Sequence, residues 1–368
     1  MPRAAVVWTR GGPFSLEEVE LDELRPDEVR VRMVAAGMCH TDLNAVHGSL
    51  PYPLPGVLGH EGVGVVEEVG ATVRRTRPGD RVLLTFTSCG RCRGCRGGHP
   101  AHCDRQMELN LFGGRRADGS ATLRHKGTDL NGHFFGQSSF ADRAIADERS
   151  VVVLPDDLTE ADLPVLAPLG CGAQTGAGAI LNILRPRPGE TIAVTGAGAV
   201  GLSAVMAARM SPAGAVIAVD RVPSRLELAR ELGATHTVDT SAQPLGEALL
   251  DLTRGAGVDA VVETTGNTAL LETLIDGLGV AGRIAVIGAP KAGSRASFDV
   301  NRLLLGRTVH GVTLGDSEPE TFIPALLAAH RRGAFPLDRL VRTYPFEEIN
   351  RAARDAAAGI AVKPVLVF

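Results

Sequence analysis

Six cysteines in this chain of 368 residues divide into two sets that could bind metal. Four of them follow the spacing C-x2-C-x2-C-x7-C, at Cys89, Cys92, Cys95 and Cys103. Four thiolates complete a tetrahedral zinc site with no open position. Two disulfides are the alternative, but closely spaced cysteines in a cytosolic chain more often bind metal. The segment 89–103 is therefore predicted to hold a structural zinc ion.

The other two cysteines, Cys39 and Cys171, stand far apart, and the triplet Gly59-His60-Glu61 lies between them. Two thiolates and one imidazole would leave a fourth zinc position open for water or substrate. Each residue alone has an ordinary explanation, since free cysteine is among the most buried residue types. The combination of a closed set and an open set predicts two zinc ions per chain.

A glycine pattern in the middle of the chain predicts a dinucleotide site. The segment 195–201 contains G-x-G-x-x-G between a strand-like run and a helical one, and Asp220 ends the next strand-like run. The glycines permit a tight turn and close approach of a pyrophosphate, and the helix N-terminus offers free N–H groups. Asp220 could accept from ribose hydroxyls and would repel a 2′-phosphate, which favours NAD over NADP. The flanking cations Arg221 and Arg225 weaken that preference. The cofactor contacts assigned here are Gly196, Gly198, Ala199, Val200, Gly201, Asp220, Arg221 and Arg225.

Around these motifs the chain is organised as an α/β protein. The first 150 residues contain many short strand-like runs, such as 29–34 and 62–69, and residues 104–133 form a polar, glycine-punctuated excursion. From about 171 to 315, strand-like and helical runs alternate, which predicts a doubly wound parallel sheet. The strand-like runs there are 190–195, 215–220, 260–263 and 283–288, and the helical ones include 224–232 and 268–278. The last fifty residues predict helices at 318–332 and 346–358 and a strand at 364–368.

Composition excludes some functions. The net charge of −4 gives no basic surface for nucleic acid. The uncharged run 191–208 is long enough to suggest a membrane helix, but its glycines lie in a strand-turn-helix pattern, so we expect no membrane segment. The first residues read as a strand rather than as a secretory signal, and a cytoplasmic location is expected.

Together the motifs resemble the zinc-dependent medium-chain alcohol dehydrogenases over essentially the whole chain. The segments that carry the resemblance, besides the cysteine cluster and the glycine pattern, are 37–42, 59–62, 79–82 and 169–172. Similarity to the aryl (benzyl) alcohol dehydrogenase branch is greatest in 135–140, 168–178, 340–346 and 362–366. Thiol-dependent formaldehyde dehydrogenases share the same frame and are the nearest alternative.

The resemblance implies a GroES-like, β-rich catalytic domain at 1–170 and 316–368, and a Rossmann domain for NAD at 171–315. It implies that Cys39, His60 and Cys171 hold the catalytic zinc. The zinc would act as a Lewis acid on an alcohol, and the nicotinamide would take the hydride. Further roles implied by the resemblance are Thr41 on the substrate oxygen, Asp42 and Glu61 beside the ligands, and His40, Thr175 and Lys363 at the cofactor.

The chain departs from one pattern of that family. Several members have a histidine that passes the proton to solvent three residues beyond the position of Thr41, and this chain has Asn44 there. Asparagine does not titrate, and His47 lies about one helical turn further on. His47 is therefore the candidate for the last step of proton release.

Substrate and assembly are expectations from the same resemblance. An apolar slot that includes Phe86 and the run 303–305 would favour primary aromatic or allylic alcohols. A thiol-formaldehyde adduct would instead need cations at the pocket mouth, and the candidates are Arg115, Arg116, Arg124 and Lys126. A nucleic-acid-binding zinc ribbon is a third alternative, which the net charge and the second metal set disfavour. The long excursion predicts a homodimer rather than a homotetramer, joined through the sheet edge near 284–290.

Overall fold

The computed structural model describes all 368 residues, and the chain divides into two compact units. The first unit contains Met1–Cys171, Glu318–Ala328 and Leu337–Phe368, and the second contains Gly172–Ser317 and Ala329–Pro336. The predicted catalytic domain included 329–336, which the structure assigns to the second unit. This segment is held by a local contact, since His330 Nδ1 lies 3.2 Å from the Phe335 carbonyl oxygen. The side chain of Phe335 is fully buried.

Nineteen strands and eleven α-helices build the two units. The strands are β1 Arg3–Val7, β2 Phe14–Glu18, β3 Glu20–Leu21, β4 Glu28–Gly37, β5 Gly56–Val57, β6 Glu61–Val69, β7 Arg81–Leu84, β8 Leu123–His125, β9 Thr128–Leu130, β10 Arg143–Asp147, β11 Val151–Val153, β12 Thr191–Thr195, β13 Ala215–Asp220, β14 His236–Asp239, β15 Val258–Glu263, β16 Leu278–Val286, β17 Thr308–Gly311, β18 Val341–Pro345 and β19 Lys363–Val367. The helices are α1 His40–His47, α2 Arg93–Arg96, α3 Leu163–Leu166, α4 Gly172–Gly178, α5 Ala199–Met210, α6 Pro223–Glu231, α7 Leu245–Leu252, α8 Thr268–Asp276, α9 Val300–Leu303, α10 Pro319–Arg331 and α11 Ile349–Ala357.

The largest sheet of the first unit has the order β11-β7-β6-β4-β19-β18, with β10 also paired to β4. Strand β4 is apolar at alternate positions, and Val29, Val31 and Met33 pack into one buried cluster with residues of β6 and β7. The last strand, β19, pairs antiparallel with the end of β4, where Val365 lies opposite Gly37. This pairing places the end of the chain beside the loop that carries Cys39.

The excursion at 104–133 is more structured than its composition predicted. It contains a short π-helix at Glu108–Phe112 and the hairpin β8–β9, which pairs with β3. Arg116 is buried there and uses every donor of its guanidinium group. Its partners are both carboxylate oxygens of Glu28 at 2.6 and 2.8 Å, the carboxylate of Asp22, and the carbonyl oxygens of Glu23 and Ala121.

The second unit is a six-stranded sheet of order β14-β13-β12-β15-β16-β17, in which every pair is parallel. This is the strand order of the doubly wound dinucleotide-binding fold, and the prediction is confirmed. Several boundaries differ from the predicted ones: β16 spans Leu278–Val286 rather than 283–288, β15 begins at Val258 rather than at 260, and helix α8 ends at Asp276 rather than at 278. Gly277 follows it, and Leu278 already pairs with Val258 as the first residue of β16.

None of the helices combines the length and the apolar composition needed to cross a membrane.

Candidate active site

The four clustered cysteines come together in a small lobe. All four sulfurs lie within 4.8 Å of one another, and none of the six cysteines forms a disulfide. The Sγ–Sγ distance is 3.4 Å between Cys92 and Cys95 and 3.9 Å between Cys89 and Cys95. Thiolates bound tetrahedrally at about 2.3 Å from zinc would lie about 3.8 Å apart. The lobe therefore fits a zinc ion.

Backbone N–H groups of the lobe point at its sulfurs. The donors are Cys89 and Arg105 to Cys103 Sγ, at 3.3 and 3.4 Å, and Cys95 and Asp104 to Cys92 Sγ, both at 3.5 Å. These bonds favour the thiolate over the thiol, and they lower the pKa of Cys92 to about 6. The backbone is thus arranged for negative charge on the ligands.

The second metal set is assembled from three separate segments of the first unit. Cys39 precedes helix α1, His60 immediately precedes strand β6, which begins at Glu61, and Cys171 ends the segment before helix α4. One potential ligand atom from each of these four residues lies within 4.8 Å of the others. The His60 ring is fully buried, and its Nε2 has no hydrogen-bond partner in the protein. Because an unpaired buried nitrogen is costly, this atom fits a metal ligand.

Asp42 holds two of the ligand segments in register. Its Oδ1 lies 3.0 Å from His60 Nδ1 and accepts from the Gly59 N–H at 3.0 Å, while its Oδ2 accepts from the Cys39 N–H at 2.9 Å. Burial lowers the pKa of His60, but Asp42 and Cys39 together raise it to about 10. With Nδ1 held by Asp42, Nε2 is the ring nitrogen that would bind a metal ion.

Lys363, which was predicted to lie at the cofactor, contacts Glu61. Its ammonium contacts both carboxylate oxygens of Glu61 at 2.8 Å and the Met38 carbonyl oxygen at 3.3 Å, and both charged side chains are buried. Burial lowers the pKa of Lys363, but Glu61 and the thiols of Cys39 and Cys171 raise it above its usual value, whereas burial raises the pKa of Glu61. The pairing of β19 with β4 brings Lys363 to Glu61, and a contact of Lys363 with the cofactor stays a prediction.

A glycine makes this ion pair possible. A Cβ atom at Gly37 would lie 2.1 Å from Glu61 Oε2, so any other residue there would displace the carboxylate. In the sequence, Gly37 was noted only as part of the segment 37–42 that resembles the family. A glycine at the end of a buried strand indicates a close approach by another group, and here that group is the Glu61 carboxylate.

The remaining proton-relay candidates lie along helix α1. Thr41 Oγ1 is 3.6 Å from Cys39 Sγ, which places the hydroxyl beside the metal set. His40 is exposed at the start of the helix, and His47 is exposed at its end, while Asn44 is half-buried between them. The route from Thr41 to His47 stays a prediction.

An aromatic turn that the sequence reading did not connect with the metal packs on His60. The ring of Phe135 stacks on the imidazole at a centroid distance of 4.4 Å, and Phe134 meets it edge-on at 5.5 Å. The backbone of Phe135 lies in the left-handed region at φ 53°, a strained conformation for an aromatic residue. The side chain of Gln137 fixes the turn, since it donates to the carbonyl oxygens of His60 and Thr85 and accepts from the Gly62 N–H.

The residues predicted to form an apolar slot differ in exposure. Phe86 is buried and borders a cavity of about 90 Å³ beside Cys95 and Arg149, next to the cysteine lobe. Leu304 and Leu305 are 78% and 50% exposed on the second unit. The apolar slot stays a prediction.

The glycine turn of the second unit has the shape that a pyrophosphate needs. Gly196 has φ 87°, and a Cβ at Gly201 would lie 1.7 Å from the Gly196 carbonyl oxygen. A Cβ at Gly198 would meet nothing within 4 Å, so the space in front of this glycine is open. The three positions thus serve the tight turn, the close helix-strand contact and the approach of phosphate.

The residues around the turn fit the adenosine half of a dinucleotide. Asp220 Oδ2 accepts from the Ala197 N–H at 2.6 Å, which ties the carboxylate to the glycine turn. Arg221 is exposed, and Arg225 is half-buried with an unpartnered Nε. Thr175 is buried on α4, where the neighbouring Gly176 allows contact with the first turn of α5.

Comparisons with known proteins agree with this geometry. The alcohol dehydrogenase GroES-like domain matches residues 25–156, and the zinc-binding dehydrogenase family matches 199–329. Geraniol dehydrogenase of Castellaniella defragrans is 42% identical over 367 residues, covering 100% of this chain and 97% of the relative.

Two solved structures are similar over the full length. Benzyl alcohol dehydrogenase of Acinetobacter calcoaceticus has 43% identity and a TM-score of 0.95, with 100% of this chain and 99% of that chain covered. An alcohol dehydrogenase zinc-binding domain protein of Burkholderia ambifaria has 51% identity and a TM-score of 0.96, with 100% and 98% covered. The chain therefore belongs to the zinc-dependent medium-chain alcohol dehydrogenases, which oxidise alcohols with zinc and a nicotinamide dinucleotide.

Proposed function

We propose that this protein transfers hydride between primary aromatic or allylic alcohols, or their aldehydes, and NAD. The observation that carries the proposal is similarity over the whole chain, at 42% and 43% identity, to two dehydrogenases named for such alcohols. Geraniol is an allylic alcohol and benzyl alcohol an aromatic one. Within the chain, the buried rings of Phe134 and Phe135 pack on the imidazole of His60 and fix it in the metal set.

The residues of the first unit divide the work around the substrate oxygen. When bound, zinc supplies the Lewis acidity that lowers the pKa of an alcohol. Asp42 keeps the His60 ring in one orientation, and Lys363 holds the Glu61 carboxylate through two hydrogen bonds. Thr41, beside Cys39, hydrogen-bonds the substrate hydroxyl and takes part in removing its proton. His47 or water then carries the proton to solvent, because Asn44 does not titrate.

A specificity panel tests the substrate class. We expect kcat/KM for benzyl alcohol to exceed that for ethanol by well over tenfold, because each buried methylene contributes about 0.8 kcal/mol. Two saturated controls separate conjugation from size: cyclohexylmethanol for benzyl alcohol and citronellol for geraniol. NADH absorbance gives the rates. Equal values of kcat/KM for ethanol and benzyl alcohol would contradict the proposal.

The thiol-formaldehyde alternative loses its predicted cations. Arg116 is buried among carboxylates, and the guanidinium groups of Arg115 and Arg124 pair with Asp129 at 3.3 and 3.0 Å. Of the four candidate cations, Lys126 is the one that these ion pairs do not involve, and it lies at the exposed turn of the β8–β9 hairpin. Formaldehyde with glutathione should therefore be a poor substrate beside benzyl alcohol.

Replacing Asp220 tests the preference for NAD. The wild-type carboxylate lies at the glycine turn and would repel a 2′-phosphate, so we expect kcat/KM for NAD to exceed that for NADP at least ~10-fold, or about 1.4 kcal/mol. Asp220→Gly should narrow this ratio, since it removes the charge and leaves Arg221 and Arg225 nearby. Equal wild-type values for the two cofactors would show that the arginines outweigh Asp220.

We propose a homodimer in which a second copy covers the edge of the six-stranded sheet. All four residues of the edge strand β17 are exposed, and an unpaired edge readily pairs with another strand. Exposed apolar side chains accompany it, namely Val280, Val300, Leu304 and Val309. Light scattering should give the mass of two chains, and Val309→Lys should shift it towards one chain. The mass of four chains would contradict the dimer.

We place the enzyme in the cytoplasm, where reducing conditions keep the six thiols of the two metal sets available as ligands.

A further inference from the structure

A turn beside the glycine turn is held by an unusual set of polar contacts. Strands β12 and β15 are neighbours in the middle of the parallel sheet, where the strand order reverses and dinucleotides bind at the carboxyl ends. Residues 264–266 follow the carboxyl end of β15. The Thr264 hydroxyl donates to the carbonyl oxygens of Thr195 and Gly196 at 2.7 and 3.2 Å. This side chain therefore bonds directly to the first glycine of the cofactor turn.

The carboxylate of Glu263 organises the same turn from below. Glu263 is 1% exposed, and its Oε1 accepts from the Thr265 N–H at 2.6 Å, from the Thr265 hydroxyl and from the Gly266 N–H at 3.1 Å. These donors are all neutral groups of the turn itself. A buried carboxylate is costly unless its acceptors are used, so the turn and the carboxylate stabilise one another.

The backbone after β16 encloses this carboxylate. A Cβ at Gly288 would lie 2.0 Å from the Gly266 nitrogen and 2.8 Å from Glu263 Oε2. The N–H groups of Ile287 and Gly288 donate to the backbone carbonyl oxygen of Glu263 at 2.8 and 3.1 Å. Glu263 is thus fixed at its backbone and at its side chain, and its contacts lead through Thr264 to Gly196.

We propose that Glu263 is a positioning residue for the nicotinamide dinucleotide. It fixes the turn 264–266, and Thr264 in turn holds Gly196 in the conformation that receives the pyrophosphate. A glutamine could keep one oxygen for the Thr265 donors, but its NH₂ group would replace Oε2, which accepts from the Gly266 N–H at 3.3 Å. The proposal rests on the dinucleotide site of the proposed function and makes no use of the alcohol.

The test is direct binding of the cofactor to the Glu263→Gln holoenzyme. NADH affinity is measured by fluorescence titration without alcohol, together with KM for NAD, kcat at saturating NAD and zinc content. We expect the NADH Kd and the KM for NAD each to rise roughly tenfold, a change of about 1.4 kcal/mol. We expect kcat to stay within about threefold and the zinc content to stay unchanged, because the metal ligands lie in the first unit.

Matched variants separate positioning from general destabilisation. Asp259 lies at the amino-terminal end of the same strand, far from the cofactor turn. Its Oδ2 accepts from the Thr191 N–H at 2.7 Å, so Asp259→Asn should bind NADH normally. Thr264→Val should reproduce the weaker binding and Thr264→Ser should restore it, which keeps the test decisive if Glu263→Gln fails to fold. Wild-type NADH affinity in folded Glu263→Gln or Thr264→Val, or equal weakening in Asp259→Asn, would overturn the proposal. A wrong substrate class would change none of these results.

Discussion

A serine in place of Cys39 should abolish alcohol oxidation and remove about half of the zinc from each chain. Cys39 supplies one of the thiolates of the open metal set, and a hydroxyl is a much weaker zinc ligand than a thiolate at neutral pH. His60 Nε2 would then lack the ion that the geometry assigns to it. Elemental analysis of the purified protein and NADH absorbance with benzyl alcohol measure the two effects.

Two comparisons make the Cys39→Ser result specific. NADH binding should persist in this variant, because the glycine turn belongs to the second unit. Cys95→Ser should remove the other half of the zinc and lower the thermal unfolding midpoint, since a structural zinc site contributes directly to folding. A fully active enzyme with a single zinc ion per chain would contradict the assignment of seven ligands to two sites.

Replacing Arg116 with methionine should lower the free energy of unfolding of the first unit by about 3–5 kcal/mol. Arg116 is buried against Glu28 and Asp22, and its removal leaves two carboxylates beside an uncharged side chain. Methionine fills much of the same volume, so the loss is electrostatic rather than a cavity. Urea denaturation of the zinc-loaded protein, followed by a probe in the first unit, measures the change.

Arg124→Met is the matched control for Arg116→Met. Arg124 lies in the same excursion and also pairs with a carboxylate, but its side chain is 47% exposed. Exposed ion pairs contribute little to stability, so this variant should unfold like the wild type. Equal destabilisation by the two substitutions would mean that the excursion responds to lost charge in general. The ratio of benzyl alcohol to ethanol kcat/KM should be unchanged in both variants.

Local patterns account for the convergence of the four clustered cysteines and for the parallel sheet of the second unit. Cysteine spacing is a local property, and the four sulfurs of the lobe converge within fifteen residues of chain, 89–103. The parallel sheet followed from apolar runs separated by helical ones, because strands buried on both faces are apolar along their length. The glycine turn has its fixed place between β12 and α5, and so it was located to the residue.

Long-range contacts account for what the sequence could not predict. One partner of Arg116 is Glu28, 88 residues away, and nothing near Arg116 in the sequence distinguishes it from the half-buried Arg115 and the exposed Arg124. The contact of Lys363 with Glu61 was not predicted, because Glu61 is 302 residues away and meets Lys363 through strand pairing. Phe135 contacts His60 only because the chain adopts a left-handed conformation at an aromatic residue, which propensity disfavours.

The pairing of β4 with β19 also sets an order of events during synthesis. Strand β4 and the ligands Cys39 and His60 leave the ribosome early, whereas β19 is among the last segments to emerge. At about 5–20 residues per second, the delay between them is on the order of tens of seconds. Residues 172–317, the larger part of the second unit, emerge in between as one continuous stretch, and Ala329–Pro336 completes that unit. The first unit is completed only when β19 pairs with β4, and until then Cys39 lies next to an unpaired strand edge.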